Sequence, residues 1–208
     1  NNLQLVLDSL KEVGCNHVLL SGSVSEQNEG AGTPPLEAFT PYHLSKGLTW
    51  DFFKFYVTTK SMSLGKFVIP NPFGSMEDPK FTTYLVQSWY KSEIPTVKTP
   101  TYVRDNIHVT LLAKAYKDFA ESLVKGTGII KTSPSLYKSK QGDFAKKFAI
   151  EMESRLDISC KLNFANQTEF LEPLERVNTT ELDIKKLNWN EKQAWDDLAK
   201  FYIEHYRK

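Results

Sequence analysis

Tyr42 and Lys46 are the residues of this chain whose types and spacing most directly suggest chemistry. Being four residues apart, they fall on one face of a helix, with the ammonium close to the phenol. A phenol has a pKa of about 10, and a nearby cation lowers that pKa because it favours the phenolate. Such a pair can transfer protons near neutral pH, with Ser23 holding the hydroxyl whose proton moves. The alternative is a surface tyrosine beside a solvated lysine.

The elements around these residues suit a site at the edge of a sheet. Residues 17–20 are apolar enough to predict a short buried strand that runs into Ser21-Gly22-Ser23, and residues 45–56 predict a helix. A serine at a strand end, followed by tyrosine and lysine on the next helix, is typical of a site at the carboxyl ends of parallel strands. Ser23 could instead only turn or cap the backbone.

Further motifs accompany this pair. They are VIPNPFG at 68–74, YVRDNIHV at 102–109 and LNW at 187–189. Together with SGS at 21–23 and PYHLSK at 41–46, they resemble, in the same order, the motifs of the extended short-chain dehydrogenase/reductases. That family comprises NAD-dependent nucleotide-sugar epimerases and dehydratases, and the resemblance spans nearly the whole chain.

The resemblance implies an α/β fold, with a Rossmann-like, mostly parallel sheet and a small α/β substrate-binding lobe. Residues 1–75 would form the C-terminal part of an NAD-binding domain that carries the Tyr/Lys site. Residues 76–208 would form mainly the substrate-binding lobe, with segments around 103–130 returning to the Rossmann-like domain.

By the same resemblance, Ser23, Tyr42 and Lys46 would be the catalytic residues. The cofactor, NAD or NADP, would be contacted by Ser21, Tyr42, Lys46 and Pro70. The implied reaction is hydride transfer between the cofactor and a nucleotide sugar, with Tyr42 as the acid/base group.

The substrate would be bound by Ser23, Asn71 and Arg104. Arginine forms planar, charge-assisted bonds to a diphosphate. Alternatively, Arg104 could form an ion pair with Asp105 that fixes a loop. His108 lies in a usually structural motif, and we expect a satisfied interior histidine there rather than a catalytic one.

The loop after Ser23 departs from the family pattern. Dehydratases of the family have an Asp-Glu pair directly after the serine or threonine, whereas this chain has Val24 and Ser25. Glu26 comes one residue later, so a shifted register could restore a single acid. The departure argues against a dehydratase and leaves an epimerase or a reductase. A decarboxylase-like pairing of Ser25 with Glu26 is a further alternative.

The ten glycines of the chain allow neither G-x-x-G-x-x-G nor G-x-G-x-x-G, the loop that holds a dinucleotide pyrophosphate. The first residues instead predict a helix that ends near Gly14. We therefore expect the chain to lack roughly the first half of a dinucleotide-binding domain and to be inactive alone. The rival interpretation is a non-catalytic binding or dimerisation fragment of the same fold, which the presence of Ser23, Tyr42 and Lys46 opposes.

The helix that carries Lys46 is rich in aromatic residues, which serve either core packing or a dimer interface. They are Trp50, Phe52, Phe53, Phe55 and Tyr56. Extended family members commonly dimerise through this helix and the one before it, so the resemblance implies a homodimer.

Composition limits the remaining possibilities. The chain has 208 residues, 40% hydrophobic and 25% charged, which is ordinary for a globular protein. A net charge of +1 supports neither a nucleic-acid partner nor a membrane surface. No apolar run approaches the ~20 residues of a membrane helix, and no signal peptide is visible, so we expect a cytoplasmic protein. The four histidines and two cysteines show no metal-ligand spacing. Cys15 and Cys160 are expected to be buried or free thiols, with a disulfide between them as the alternative.

The rest of the chain predicts alternating strands and helices, hence an α/β fold. Strands are expected at 64–69 and 129–130, a loop at 71–80, an extended segment or small hairpin at 94–103, and helices at 81–91, 109–123, 141–156 and 195–206.

Overall fold

The computed structural model of the chain describes residues 2–76, 80–125 and 128–207, and it has an α/β fold with mostly parallel strand pairing. The helices within these residues are α1 (Asn2–Glu12), α2 (Pro41–Lys60), α3 (Phe81–Tyr90), α4 (Val109–Lys125), α5 (Gln141–Leu156) and α6 (Glu191–Tyr206). The strands are β1 (His17–Ser23), β2 (Ala31–Gly32), β3 (Ser63–Ile69), β4 (Asn71–Phe73), β5 (Thr96–Val97), β6 (Val103–His108), β7 (Ile129–Thr132), β8 (Pro134–Ser135), β9 (Tyr137–Lys140), β10 (Asn163–Phe164), β11 (Glu175–Val177) and β12 (Thr180–Glu181).

The first sheet has the order β1-β3-β7 with all strands parallel. Neighbouring residues of β3 point to opposite faces, because strand side chains alternate. The backbone of Gly65 lies close to Phe119 and Leu123 of α4, whereas Lys66 lies over the ring of Trp50 in α2. Helices α4 and α2 therefore cover the two faces of this sheet.

The second sheet has β6 at its centre. Strands β4 and β11 pair with β6 in parallel, while β9 pairs with it antiparallel and β2 pairs antiparallel with β11. The largest apolar cluster packs between this sheet and α3, α5 and α6, around the rings of Phe73, Phe148 and Trp195. The chain passes from the first sheet to the second at Pro70, between β3 and β4.

Helix α2 begins earlier than the apolar pattern predicts. Thr40 is its N-cap, with the side-chain oxygen accepting a hydrogen bond from the His43 backbone N–H, and Pro41 occupies the first turn. Both residue types are favoured at a helix start. Tyr42 and Lys46 therefore both lie on α2, and not in the loop before it.

Most predicted elements are confirmed, and the differences are local. Asn71–Phe73, expected in a loop, is a strand because it pairs with β6, while residues 77–79 of that loop lie outside the described residues. Of the two alternatives for residues 94–103, the extended segment is confirmed and the hairpin is wrong, since β5 pairs in parallel with the distant β10. Helix α6 begins at Glu191, capped by Asn190. In the described parts of the chain, no helix has the length and apolar character needed to cross a bilayer.

Candidate functional site

A cavity of about 780 Å³ lies where the first sheet meets the second. The three residues predicted to bind substrate, Ser23, Asn71 and Arg104, all line it. They reach it from different elements: Ser23 ends β1, Asn71 begins β4, and Arg104 lies in β6. The fold thus brings together residues that are far apart in the sequence.

Tyr42 and Lys46 lie next to each other on α2, as their spacing predicts. The Lys46 ammonium is 5.6 Å from the centroid of the Tyr42 ring, and its Nζ donates a 2.6 Å hydrogen bond to the Ser21 carbonyl at the end of β1. Tyr42 is 63% exposed, and neither residue belongs to the wall of the cavity. The pair is therefore anchored to the serine-bearing strand while it faces outward, and its catalytic role stays a prediction.

The other residues predicted near the cofactor surround the same strand end. The Ser21 hydroxyl shares a 3.0 Å hydrogen bond with the Tyr116 hydroxyl of α4. Ser23 is opposite Ile69 in the register of the sheet, so Pro70 follows directly beside the site. The Ser23 hydroxyl oxygen accepts a 3.3 Å hydrogen bond from the Ser25 backbone N–H, which leaves its own proton available for donation.

Arg104 does not form the alternative ion pair with Asp105. Its Nη2 lies 2.9 Å from Glu172 Oε2, and its Nη1 donates to the carbonyls of Val103, Pro173 and Leu174. Adjacent strand residues point to opposite faces, so the Asp105 carboxylate instead accepts a hydrogen bond from the Leu136 N–H.

Glu26 does not supply an acid to the cavity, contrary to the shifted-register hypothesis. It is fully buried, and it is not among the residues that line the cavity, whereas Ser25 is. The reason is Lys66 in β3, whose ammonium lies 2.5 Å from Glu26 Oε2 and holds the carboxylate beneath the loop. The pairing of Ser25 with Glu26 as a reactive couple is therefore absent from the described site.

His108 is an interior histidine, as predicted, although only one of its two ring nitrogens has a hydrogen-bond partner among the described residues. Nδ1 shares a 2.8 Å hydrogen bond with Thr110 Oγ1, while Nε2 is buried without a partner among the described residues. The rings of Phe73, Trp189 and Trp195 surround it. Burial lowers the pKa of His108 to about 4, because the charged imidazolium would lose its hydration.

Sequence reasoning missed several residues of the cavity wall. His43 lines it, with Nδ1 in a 2.9 Å hydrogen bond to Thr40 Oγ1, and burial lowers the pKa of His43. Its position next to Tyr42 was the signal that could have found it. Lys80 and Lys98 also line the cavity and, with Arg104, give it a basic wall. No motif marks either lysine.

Metal chemistry finds no support in the described residues. They contain no group of three or more histidine, cysteine or acidic side chains placed to hold a metal ion. Cys15 and Cys160 are free thiols, as expected.

No family model and no curated protein matches the sequence. Solved structures do match in fold. UDP-N-acetylglucosamine 4-epimerase from Methanobrevibacter ruminantium M1, solved with UDP-N-acetylmuramic acid, gives a TM-score of 0.71 at 17% identity over 97% of this chain and 67% of that one. UDP-glucose 4-epimerase from Brucella ovis, solved with NAD, gives 0.68 at 16% identity over 99% of this chain and 69% of that one.

A dTDP-glucose 4,6-dehydratase from Bacillus anthracis, solved with NAD, is also similar, with a TM-score of 0.70 at 13% identity over 98% of this chain and 67% of that one. The chain therefore has the Rossmann-like fold of nucleotide-sugar epimerases and dehydratases. It spans about two thirds of the length of each of these enzymes.

Proposed function

We propose that the protein is an extended short-chain dehydrogenase/reductase, an NAD(P)-dependent epimerase or reductase that acts on a nucleotide sugar. The observation that carries this proposal is the arrangement at the end of β1. Ser23 lines the cavity there, while Lys46 of the Tyr42–Lys46 pair is bonded to the same strand two residues earlier. The likeness in fold to enzymes solved with NAD and with UDP-sugars supports it.

Each residue then has a defined task. Ser23 holds the reacting sugar hydroxyl by a hydrogen bond, and Tyr42 takes the proton of that hydroxyl or returns it. The Lys46 charge, 5.6 Å from the ring, stabilises the phenolate form of Tyr42. A bound NAD or NADP would supply the hydride chemistry: an epimerase would need a hydride to be taken from the sugar carbon and returned to it, and a reductase would need the reduced cofactor as hydride donor.

The residues at the strand end suit one end of such a cofactor. Lys46 lies beside Tyr42 and bonds to the Ser21 carbonyl, and Pro70 directly follows the neighbouring strand β3, so these residues would hold the nicotinamide and its ribose. The sequence contains no glycine-rich loop for the pyrophosphate. We therefore propose that these 208 residues provide the catalytic wall of the cofactor site and not its phosphate wall.

The cavity suits an anionic substrate. Its volume of about 780 Å³ lies in the range of about 300–1,000 Å³ that is usual for ligand sites. Lys80, Lys98 and Arg104 supply positive charge for a diphosphate, and Asn71 supplies an amide for hydrogen bonding. Glu169 and Glu172 also line the cavity, so its basic character is local and not general.

We also propose that residues 1–75 serve mainly cofactor and catalysis, and residues 76–208 mainly the substrate, with 103–130 shared. Strands β1 and β3 form the first sheet, which α2 covers on one face. Strand β7, later in the chain, completes that sheet. Strand β4 already pairs in the second sheet, so the change of sheet falls at Pro70, just before the proposed boundary.

A homodimer through α1 and α2 completes the proposal. Leu44, Leu48 and Phe55 lie within one stripe of α2, and all three are exposed. The same stripe is what would favour the second candidate function, a dimerisation piece without catalysis. Turnover that depends on Tyr42 would distinguish the enzyme from a dimerisation piece without catalysis.

Turnover of the Tyr42→Phe variant tests the function. The protein that contains this chain is incubated with UDP-glucose or UDP-N-acetylglucosamine and with NAD or NADP, and products are separated by anion-exchange chromatography. We expect Tyr42→Phe to lower kcat by about 10²–10⁴-fold, because it removes only the acid/base group. Tyr206→Phe, on the last helix, is the control. Unchanged kcat in Tyr42→Phe, at an unchanged melting temperature, contradicts the proposal.

A further inference from the structure

Four charged side chains form a mostly buried cluster directly beneath the loop that follows Ser23. Lys66 Nζ lies 2.5 Å from Glu26 Oε2 and 2.8 Å from Glu29 Oε1, while Lys131 Nζ lies 3.0 Å from Glu29 Oε2. Lys66, Glu26 and Glu29 are buried, and Lys131 is half-exposed. The cluster holds two cations and two anions, so its charges balance.

The sheet makes room for this lysine. Lys66 lies in β3, the central strand of the first sheet, among buried apolar neighbours such as Phe67 and Val68. A Cβ on Gly22 of the adjacent β1 would come within 2.6 Å of Lys66 Cε, so a larger residue at position 22 would displace the lysine stem. The ring of Trp50 covers the ammonium from α2 at 5.3 Å. Lys66 is therefore an integral part of the sheet.

Glu26 links this lysine to the backbone of Ser23. Its second oxygen, Oε1, accepts a 2.7 Å hydrogen bond from the Ser23 N–H, and its own N–H donates to the Ser23 carbonyl at 3.1 Å. Ser23 is thus held on both its amide and its carbonyl by one residue. Arg176 of β11 holds the same loop from the other side, through the carbonyls of Val24, Glu26, Glu29 and Glu37.

We propose that Glu26 is a positioning residue for the reaction: its side-chain oxygen fixes Ser23 so that the Ser23 hydroxyl lies in the cavity wall, while Lys66 balances the charge of the buried carboxylate. This inference rests on the proposed function, in which Ser23 holds the sugar hydroxyl. Glu26 acts through Ser23 and not on the substrate, since it is fully buried and does not line the cavity.

A buried ion pair can serve stability alone, and the two roles make different predictions. Apolar residues of similar volume often replace a buried pair without loss of stability. Such a replacement removes the acceptor for the Ser23 N–H, however, and a positioning role requires that acceptor. The acceptor, and not the charge, is therefore the quantity to vary.

Two double variants differ only in that acceptor. Glu26→Gln/Lys66→Met removes both charges but retains a side-chain oxygen for the Ser23 N–H, whereas Glu26→Leu/Lys66→Met removes the oxygen as well. We expect the glutamine variant to keep kcat within about threefold of the wild type and the leucine variant to lose about tenfold or more, with KM for the nucleotide sugar changed by less than about threefold in both. Glu26→Ala/Lys66→Met replaces the leucine variant if that one does not unfold cooperatively.

A third substitution tests whether the decrease in kcat of the leucine variant acts through Ser23. Ser23→Ala is added to the leucine variant, and we expect little further decrease in kcat, because both changes remove the same positioned hydroxyl. Equal kcat in the two double variants, or a full additional loss from Ser23→Ala, overturns the inference.

Hydrogen exchange separates this inference from the proposed function. Amide exchange of the peptide spanning residues 21–30, measured by mass spectrometry, needs no substrate and no turnover. We expect faster exchange in the leucine variant than in the glutamine variant, and equal exchange overturns the inference whatever the activity. If Tyr42→Phe leaves turnover unchanged, the proposed function fails, and exchange still decides whether Glu26 holds Ser23.

Discussion

Glu172 holds the Arg104 guanidinium at the cavity wall, with its Oε2 2.9 Å from Arg104 Nη2. Arg104 is buried, whereas the Glu172 side chain is 45% exposed, so the carboxylate is the partner with freedom to leave. The other nitrogen, Nη1, is engaged by three backbone carbonyls. A ligand phosphate that binds Arg104 would therefore take the place of the Glu172 carboxylate, or share Nη2 with it.

Arg104→Ala is expected to weaken nucleotide-sugar binding more than cofactor binding. Losing a charge-assisted contact to a diphosphate costs about 1.5–3 kcal/mol, and the residues proposed for the cofactor lie elsewhere, at the end of β1. Isothermal titration of both ligands measures the two losses. Arg155→Ala, which breaks ion pairs with Glu151 and Asp196 away from the cavity, is the control. Equal losses for both ligands, or a collapse of the melting temperature, would favour a purely structural Arg104.

Glu172→Gln is expected to strengthen nucleotide-sugar binding by about two- to fivefold, because a half-exposed ion pair is worth at most about 1 kcal/mol and its carboxylate competes with phosphate. Titration with UDP measures the effect. Glu169→Gln is the matched control, since Glu169 also lines the cavity. If both variants gain equally, general charge and not displacement from Arg104 is the cause.

The local pattern of apolar residues predicted many of the helices and strands. It did not predict which distant strands pair with each other. The strand through Leu20, the strand through Val68 and the helix α5 follow from apolar spacing and are confirmed. Strand β4 was missed because Pro72 and its short length hide it, and only pairing with β6 reveals it. Pairing between distant segments depends on tertiary packing, which propensity does not encode.

In the candidate site, too, contacts between residues close in sequence could be predicted, whereas contacts between distant residues could not. The spacing of Tyr42 and Lys46 predicted their proximity, which the 5.6 Å contact confirms. The partner of Arg104 could not be predicted, since Glu172 lies 68 positions later. Lys66 did carry a signal, as a charged residue inside an apolar strand must find a buried partner.

Charge placed on the exposed stripe of α2 is expected to dissociate a homodimer. Leu48 and Phe55 are 61% and 73% exposed, and glutamate at either position would bury a charge in the interface. We expect Leu48→Glu and Phe55→Glu to raise the dimer dissociation constant by about tenfold or more, measured by sedimentation velocity. Ile150→Glu, on the exposed face of α5, should have no effect. A wild-type protein that is monomeric at all concentrations contradicts the dimer.

His108 is expected to make stability fall as the pH decreases from about 6.5 to about 4. Its pKa is about 4 in the folded protein and 6.5 in the unfolded chain, so the unfolded chain binds more protons within this window. Stability from this group is complete above pH 6.5 and is lost on acidification, by about 3 kcal/mol in total.

Chemical denaturation at several pH values measures this dependence. We expect His108→Phe to flatten the slope between pH 4 and 6.5, because phenylalanine does not titrate and suits the surrounding aromatic rings. His205→Gln, at an exposed position, should leave the slope unchanged. An unaltered slope in His108→Phe would show that another group causes the acid sensitivity.

The 208-residue chain by itself is expected not to bind NAD. The residues proposed for one end of the cofactor, Ser21, Tyr42, Lys46 and Pro70, belong to this chain, but its glycines match no glycine-rich motif whose amides could hold the pyrophosphate. In the described residues β1 pairs only with β3, so its other edge exposes backbone groups that favour association. A fluorescence titration measures cofactor binding, with UDP as the control ligand for the cavity of Asn71 and Arg104. A saturable NAD signal at micromolar affinity from this chain alone would show that its own residues hold the pyrophosphate.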